Sequence, residues 1–160
     1  MFSLSDQALD TGALIGALED RAKGAGGIVT FTGQVRPTAN QGSVSSLFLQ
    51  AYSPMTENGI RAAMKEAEQR WPLIALSVAH RFGDMRPGDT IVFVGTASAH
   101  RRAAFEAADF LMDYLKTEAV FWKRETTDKG TSWIEPRAED YSDASRWRDA
   151  PKASDFQSHE

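Results

Sequence analysis

The residues best suited to chemistry in this chain are basic. His100-Arg101-Arg102 stands where a β-forming run gives way to a helical pattern. The first turn of a helix presents unpaired N–H groups that suit an anion, and cations there are unfavourable unless a negative ligand or carboxylate compensates them. A solvated basic turn is the plainer alternative for the tripeptide alone; the conflict with the helix dipole favours a phosphate site. Lys116 falls at the far end of the same helical pattern, where a cation suits the dipole and needs no functional explanation. Lys123 lies within Phe121-Trp122-Lys123-Arg124-Glu125, and bulky aromatics set its ammonium beside apolar surface. Loss of solvation disfavours the charged form and makes an amine usable as base or nucleophile, although the commoner fate of such a lysine is to snorkel to water. Arg36 closes an apolar run beside Gly33 and before Pro37. A guanidinium there can grip phosphate or carboxylate through two N–H groups, or can equally be an exposed edge charge.

Composition narrows the chemistry. The chain has no cysteine, which removes disulfides, thiolate metal ligation, a cysteine nucleophile and any persulfide carried on the chain itself. Its three histidines, His80, His100 and His159, are spaced too widely for a local metal motif, and no carboxylate cluster is persuasive; no metal and no cofactor are expected. A net charge of −4 argues against nucleic acid as a partner. Gly24-Ala25-Gly26-Gly27 precedes a strand and lacks the Gly-Lys-Ser/Thr ending, so it is not a phosphate-binding P-loop. Ser98 lies near His100 but in no Gly-x-Ser-x-Gly elbow. No apolar run approaches a bilayer span, and the start, MFSLSDQALD, lacks the basic region and apolar stretch of a signal peptide; a cytoplasmic protein with no membrane partner is expected.

With 160 residues, 42% of them hydrophobic, one domain with a real core is the expectation. Positioning the cations requires a scaffold, and periodicity predicts one. Thr11–Lys23 reads as a helix with Leu14, Leu18 and Ala22 on one stripe. Ile28–Val35 and Val44–Tyr52 read as strands separated by a polar loop over Thr38–Ser43. Ser53-Pro54 reads as a helix start with Ser53 as cap, followed by Ile60, Ala63, Met64, Ala67 and Trp71 at helical spacing. Leu73–Phe82 and Thr90–Ala97 read as strands joined through Arg86-Pro87-Gly88-Asp89. A longer helix is predicted over Arg101–Lys116, with Phe105, Ala108, Met112 and Leu115 buried. Phe121–Glu125 and a strand at Thr131–Ile134 follow, turning at Lys129-Gly130. The sum is an α+β domain with a mostly antiparallel sheet and two to three helices, over residues 1–149, with a polar, flexible tail at 150–160.

Taken together, several blocks resemble the MoaE family, the large catalytic subunits of molybdopterin synthase. They are Phe31-Thr32-Gly33-Gln34-Val35-Arg36, Leu49-Gln50-Ala51-Tyr52 with Met55, and His80-Arg81-Phe82-Gly83 with Pro87-Gly88-Asp89. His100-Arg101-Arg102-Ala103-Ala104-Phe105, Lys116-Thr117 and Trp122-Lys123-Arg124-Glu125 complete the series, in the family's order and spacing. The resemblance implies an α/β hammerhead with a small β subdomain. It implies a sulfurtransferase that converts cyclic pyranopterin monophosphate (precursor Z) to molybdopterin, taking sulfur from the C-terminal thiocarboxylate of a small ubiquitin-like carrier of the MoaD type. It also implies a homodimer of large subunits within a heterotetramer. By the same resemblance the catalytic lysines fall on Lys116 and Lys123. Substrate-binding positions fall on Gln34, Val35, Arg36, His100, Arg101, Lys123, Arg124, Glu125 and Arg137, and the entry for the carrier's tail on Phe31 and Met112. Val120-Phe121 stands where the family usually has Pro-Ile, and Gln50 where Glu is common. A non-catalytic docking module for a ubiquitin-like tail is the alternative, and a phosphate-ester enzyme using the same cations a weaker one. One consequence is geometric: if Arg101–Lys116 is a single helix, its ends are about 22 Å apart. A compact pterin cannot easily span that, so His100 and Arg101 are expected to serve the neighbouring subunit's site.

Overall fold

The computed structural model describes residues 1–40 and 42–148; the tail expected at 150–160 lies outside the described residues. In chain order the first elements are β1 (Phe2–Ser5), α1 (Thr11–Arg21), β2 (Gly27–Gln34), β3 (Thr38–Ala39), β4 (Gly42–Ala51) and α2 (Met55–Arg70). They are followed by β5 (Leu73–Arg81), β6 (Gly83–Met85), β7 (Thr90–Ser98), α3 (Arg101–Thr117), β8 (Phe121–Thr127), β9 (Gly130–Ile134) and α4 (Ala138–Ser145). Two sheets result. One has the order β1-β5-β7-β2 and is antiparallel except for the parallel β1–β5 pair. The other has the order β3-β4-β8-β9, with β6 also paired to β4, and is antiparallel throughout. This is the α+β class that the periodicity predicts, with four helices among the described residues rather than two to three.

The strands β5 and β7 are central and covered on both faces, which is why each reads as a nearly continuous apolar run rather than an alternation. Leu76, Val78, Val92 and Val94 turn to one face and pack with Ile60, Ala63, Ala67 and Trp71 around α2, and with Ala103, Ala107, Leu111 and Leu115 of α3. Ala75 and Ala97 turn to the other face, under Leu18 of α1 and Ala22 just beyond it. A separate core of Val35, Val44, Leu47, Leu49 and Met85 ties the small sheet to the end of β2. Asp10 caps α1, its carboxylate accepting the Ala13 N–H at 2.9 Å.

Helix α3 sits close to its sheet because its inner stripe is mostly alanine. Ala103, Ala104, Ala107 and Ala108 are buried, and the Thr96 hydroxyl donates to the Ala104 carbonyl at 2.7 Å. The predicted stripe gave Phe105 a buried place; Phe105 is 60% exposed, because small residues, not bulky ones, allow this close approach. The same proximity constrains the start of β2. A Cβ on Gly26 would lie 2.2 Å from the Ala99 carbonyl oxygen, so only glycine passes beside the N-terminus of α3.

Three further expectations are corrected. The polar loop over Thr38–Ser43 is a tight hairpin, in which Thr38 pairs with Ser43 and Ala39 with Gly42. Gly42 has φ +127, and Asp128 fills the space where its Cβ would be while accepting the Ser43 N–H at 3.0 Å. Ser53 does not cap α2; its hydroxyl bonds the Glu57 carboxylate, and the helix begins at Met55 after a cis Ser53-Pro54 bond. Finally, β1 and α4 carry too little pattern to be predicted: β1 has four residues, and α4 buries none of its own.

Candidate active site

Lys123 lies in the middle of β8, opposite Leu49 of β4 and Ile134 of β9. Side chains alternate along a strand, so Phe121, Lys123 and Glu125 share one face while Trp122 and Arg124 share the other. On the Lys123 face, the ring of His80 from β5 stacks on Phe121, with centroids 4.2 Å apart and planes 20° apart. Val120, immediately before the strand, is held by the Thr56 hydroxyl, which donates to its carbonyl at 2.6 Å. Both residues of the Val120-Phe121 departure thus have defined places: one anchors the strand's start, the other covers His80.

Burial is the main cause that lowers the Lys123 ammonium from its ordinary value to about 8; the positive charge of Lys116 adds to the fall, and the carboxylate of Asp140 opposes it. Lys116 is exposed in the last turn of α3, so the end of that helix meets the face of β8 that carries Lys123. Arg137 caps the start of α4, with its guanidinium 3.9 Å from both Glu139 and Asp140. Lys116, Lys123, Arg137 and Asp140 therefore form one corner, built from α3, β8 and α4 on a floor of His80 and Phe121. A half-buried amine beside a second cation can exchange a proton near neutral pH and can receive an anion.

His80 is nearly fully buried. Its Nδ1–H donates to the Arg81 carbonyl at 2.9 Å, and burial pushes its imidazole down to about 4, so it stays neutral through the physiological range. The unfolded chain binds this proton near pH 6.5 and the folded chain only near pH 4. Stability therefore falls on acidification through that window, by on the order of 3 kcal/mol for this group. Urea denaturation at pH 7 and pH 4.5 is expected to show that loss, and His80→Gln to flatten the difference; an unchanged slope in the variant would count against burial of a neutral imidazole.

The other sequence-derived positions are spread more widely. Gln34, Val35 and Arg36 follow one another at the end of β2. Gln34 and Arg36 are exposed, whereas Val35 is buried in the small core, its N–H bound to the Asp89 carbonyl and its carbonyl to the Gly88 N–H, both at 2.9 Å. Val35 thus has its side chain in the core and both backbone groups in the turn. Arg124 faces away from Lys123, its guanidinium 4.7 Å over the Phe48 ring and 5.7 Å from that of Trp133. Glu125 shares the Lys123 face, opposite Leu47 and Ser132. His100 and Arg101 are exposed at the N-terminus of α3, whose first turn holds no acidic residue. Arg102 pairs with Glu106 at 3.6 Å; Arg101 has no ion pair among the described residues. The helix is continuous from Arg101 to Thr117, so one chain does not bring His100 and Arg101 to its own lysine corner. Phe31 is 43% exposed on the edge strand β2, and Met112 packs against the main core.

A family profile described as MoaE protein matches residues 4–118 of this chain. The chain belongs to the MoaE family. A molybdopterin synthase catalytic subunit from Pseudomonas aeruginosa is 47% identical over 142 residues, covering 89% of this chain and 95% of that protein. Among solved structures, a molybdopterin biosynthesis MoaE protein from Burkholderia ambifaria superposes with TM-score 0.78 at 37% identity, covering 92% of this MoaE chain and 97% of the other. A protein–protein complex of subunits 1 and 2 of molybdopterin-converting factor from Helicobacter pylori shares the fold, with TM-score 0.70 at 21% identity over 85% of this chain and 91% of that one. Lys116 lies within the stretch matched by the profile. Lys123, Arg137 and Asp140 lie beyond it. His80 and Asp140 are the residues that sequence reasoning did not place at the site. The approach of α4 to β8 that brings Asp140 there is a tertiary contact with no local signal.

Proposed function

We propose that this MoaE chain is the catalytic large subunit of a molybdopterin synthase. The family carries the general role, sulfur transfer in molybdenum-cofactor biosynthesis. The specific reaction we assign is transfer of sulfur from the C-terminal thiocarboxylate of a small ubiquitin-like carrier to cyclic pyranopterin monophosphate, forming the dithiolene. The observation that carries this reading is the lysine corner: a half-buried Lys123 whose amine is accessible near pH 8, next to an exposed Lys116.

The reaction brings together two anions, a substrate phosphate and a protein thiocarboxylate. Fixed positive charge offsets their repulsion and stabilises the oxyanion or thiolate that develops in the transition state. In this scheme Lys116 polarises the carrier's terminal carbonyl or protonates the leaving group, and Lys123 is the second proton carrier. Arg36, Arg137, His100 and Arg101 hold the phosphate and pterin. Gln34, Val35, Arg124 and Glu125 complete the substrate contacts, and Phe31 and Met112 border the entry of the carrier's tail. His100 and Arg101 come from the partner subunit, in a homodimer of large subunits flanked by two carriers, working in the cytoplasm. Incubating the protein with thiocarboxylated carrier and precursor Z is expected to give the dithiolene product. Carrier binding without product would establish the docking-module reading instead, and turnover without the carrier a phosphate-ester reaction.

A further inference from the structure

Helix α4 is fastened at both ends to the two elements that carry the lysines. At its start, only Glu135 and Pro136 separate Arg137 from Ile134, the residue paired with Lys123 across β8 and β9. Beyond its far end, Arg146 lies 2.9 Å from Asp109 and 3.0 Å from Asp113, both on α3. The Trp147 indole N–H donates to Asp113 at 2.6 Å, and its ring meets Trp71 and Phe110 edge-on at 5.6 and 5.9 Å. Asp109 and Asp113 stand two turns and one turn before Lys116 on α3. The strap therefore closes a ring from β8 through α4 to α3.

Asp140 sits inside that ring. Its Oδ2 accepts the Arg137 N–H at 2.8 Å, and its side chain is only 16% exposed. The Arg137 guanidinium, at 3.9 Å, is shared with Glu139 and does not fully neutralise it. A largely buried carboxylate costs desolvation unless a cation or hydrogen bonds compensate it, and the lysine pair is the concentration of positive charge at hand. The charged and titratable groups around Lys123 are Lys116 from α3, Asp140 and Arg137 from α4, His80 from β5 and Glu125 on its own strand. His80 is neutral above pH 5, and the opposed effects on the Lys123 charge are those of Lys116 and Asp140.

We propose that Asp140 is a positioning residue of the lysine corner: the α4 strap holds its carboxylate so that it keeps the Lys123 ammonium in place beside Lys116. The proposal rests on the reading of Lys123 as a working group. Asp140→Asn is the informative variant, because the amide oxygen can still accept the Arg137 N–H while the charge is lost. The pH dependence of Lys123 labelling by an amine-reactive reagent, read by peptide mass spectrometry on the intact protein, needs neither substrate nor carrier. In Asp140→Asn the inflection is expected to move to lower pH by roughly half a unit, labelling Lys123 about threefold faster at pH 7. Asp140→Glu is expected to restore most of the wild-type inflection, and Lys116→Ala to move it the opposite way. The acid limb of product formation should move with the labelling. An unchanged inflection in an Asp140→Asn protein with wild-type circular dichroism and melting temperature would overturn the proposal. A shifted inflection with an unmoved activity profile would leave the effect of Asp140 standing and overturn the reading of Lys123 as the titrating group.

Discussion

Lys116→Ala is expected to lower product formation by at least about a thousandfold while leaving the carrier bound and the fold intact. The size of the effect follows from two losses at once. The first is direct: the exposed ammonium at the end of α3 stabilises charge developing on the carrier's terminal carbonyl, and removing such a preorganised group from a partly dry site is costly to the rate. The second acts through Lys123. Burial is the larger cause of that lysine's fall to about 8, and the Lys116 charge the next. Without Lys116, the Lys123 inflection rises and less free amine is present at neutral pH. The fold has little at stake. A cation in the last turn of a helix contributes about 0.3–1 kcal/mol, and relief of repulsion from Lys123 offsets part of it. Lys116→Arg separates the two losses, because it keeps the charge but cannot give up a proton near neutral pH. Single-turnover assays with thiocarboxylated carrier, alongside calorimetric titration of the carrier, make the measurement. Retained turnover in Lys116→Ala would rule out the central role assigned to it.

Much of the scaffold was legible because its elements carry their own periodicity. The α2 stripe of Ile60, Ala63, Ala67 and Trp71 is buried as predicted, and β5 and β7 announce a doubly covered sheet by their unbroken apolar runs. The lysines were legible only in company. Lys116 has an ordinary electrostatic reason to be where it is, and nothing local distinguishes Lys123 from a snorkelling surface residue. What brings them together is the turn between α3 and β8, anchored by Thr56 reaching across from α2 to Val120. His80 and Asp140 were missed for the same reason. His80 reads as one more residue of an apolar strand, and its stacking on Phe121 joins positions 41 residues apart in the chain. Asp140 belongs to a helix without a buried face of its own, held in place by contacts made beyond its end by Arg146 and Trp147. Phe105 shows the opposite error. Hydrophobicity assigned it to the core, whereas the close fit of α3 to its sheet depends on alanines.

Mixing Lys116→Ala and Arg101→Ala proteins is expected to restore activity that neither has alone. Helix α3 runs unbroken from Arg101 to Thr117, so the two side chains start about 22 Å apart along its axis. A single compact pterin phosphate cannot touch both from one chain. Arg101 nonetheless stands beside the positive end of the helix dipole with no acidic residue in the first turn and no ion pair among the described residues, an arrangement that an anion would relieve. A two-fold dimer resolves the conflict if each site takes its lysines from one subunit and His100 and Arg101 from the other. In a hybrid dimer of the two variants, one site then carries both lesions and the other carries neither. Random exchange makes about half the dimers hybrid, so roughly a quarter of the sites are wild type. If Lys116 and Arg101 served the same site from the same chain, every site in every dimer would keep one lesion and mixing would recover nothing. Subunit exchange can be followed independently by mass spectrometry of tagged and untagged chains. Full exchange without recovered turnover would therefore place His100 and Arg101 outside the shared site, whereas recovery near a quarter would make the dimer itself the catalytic unit.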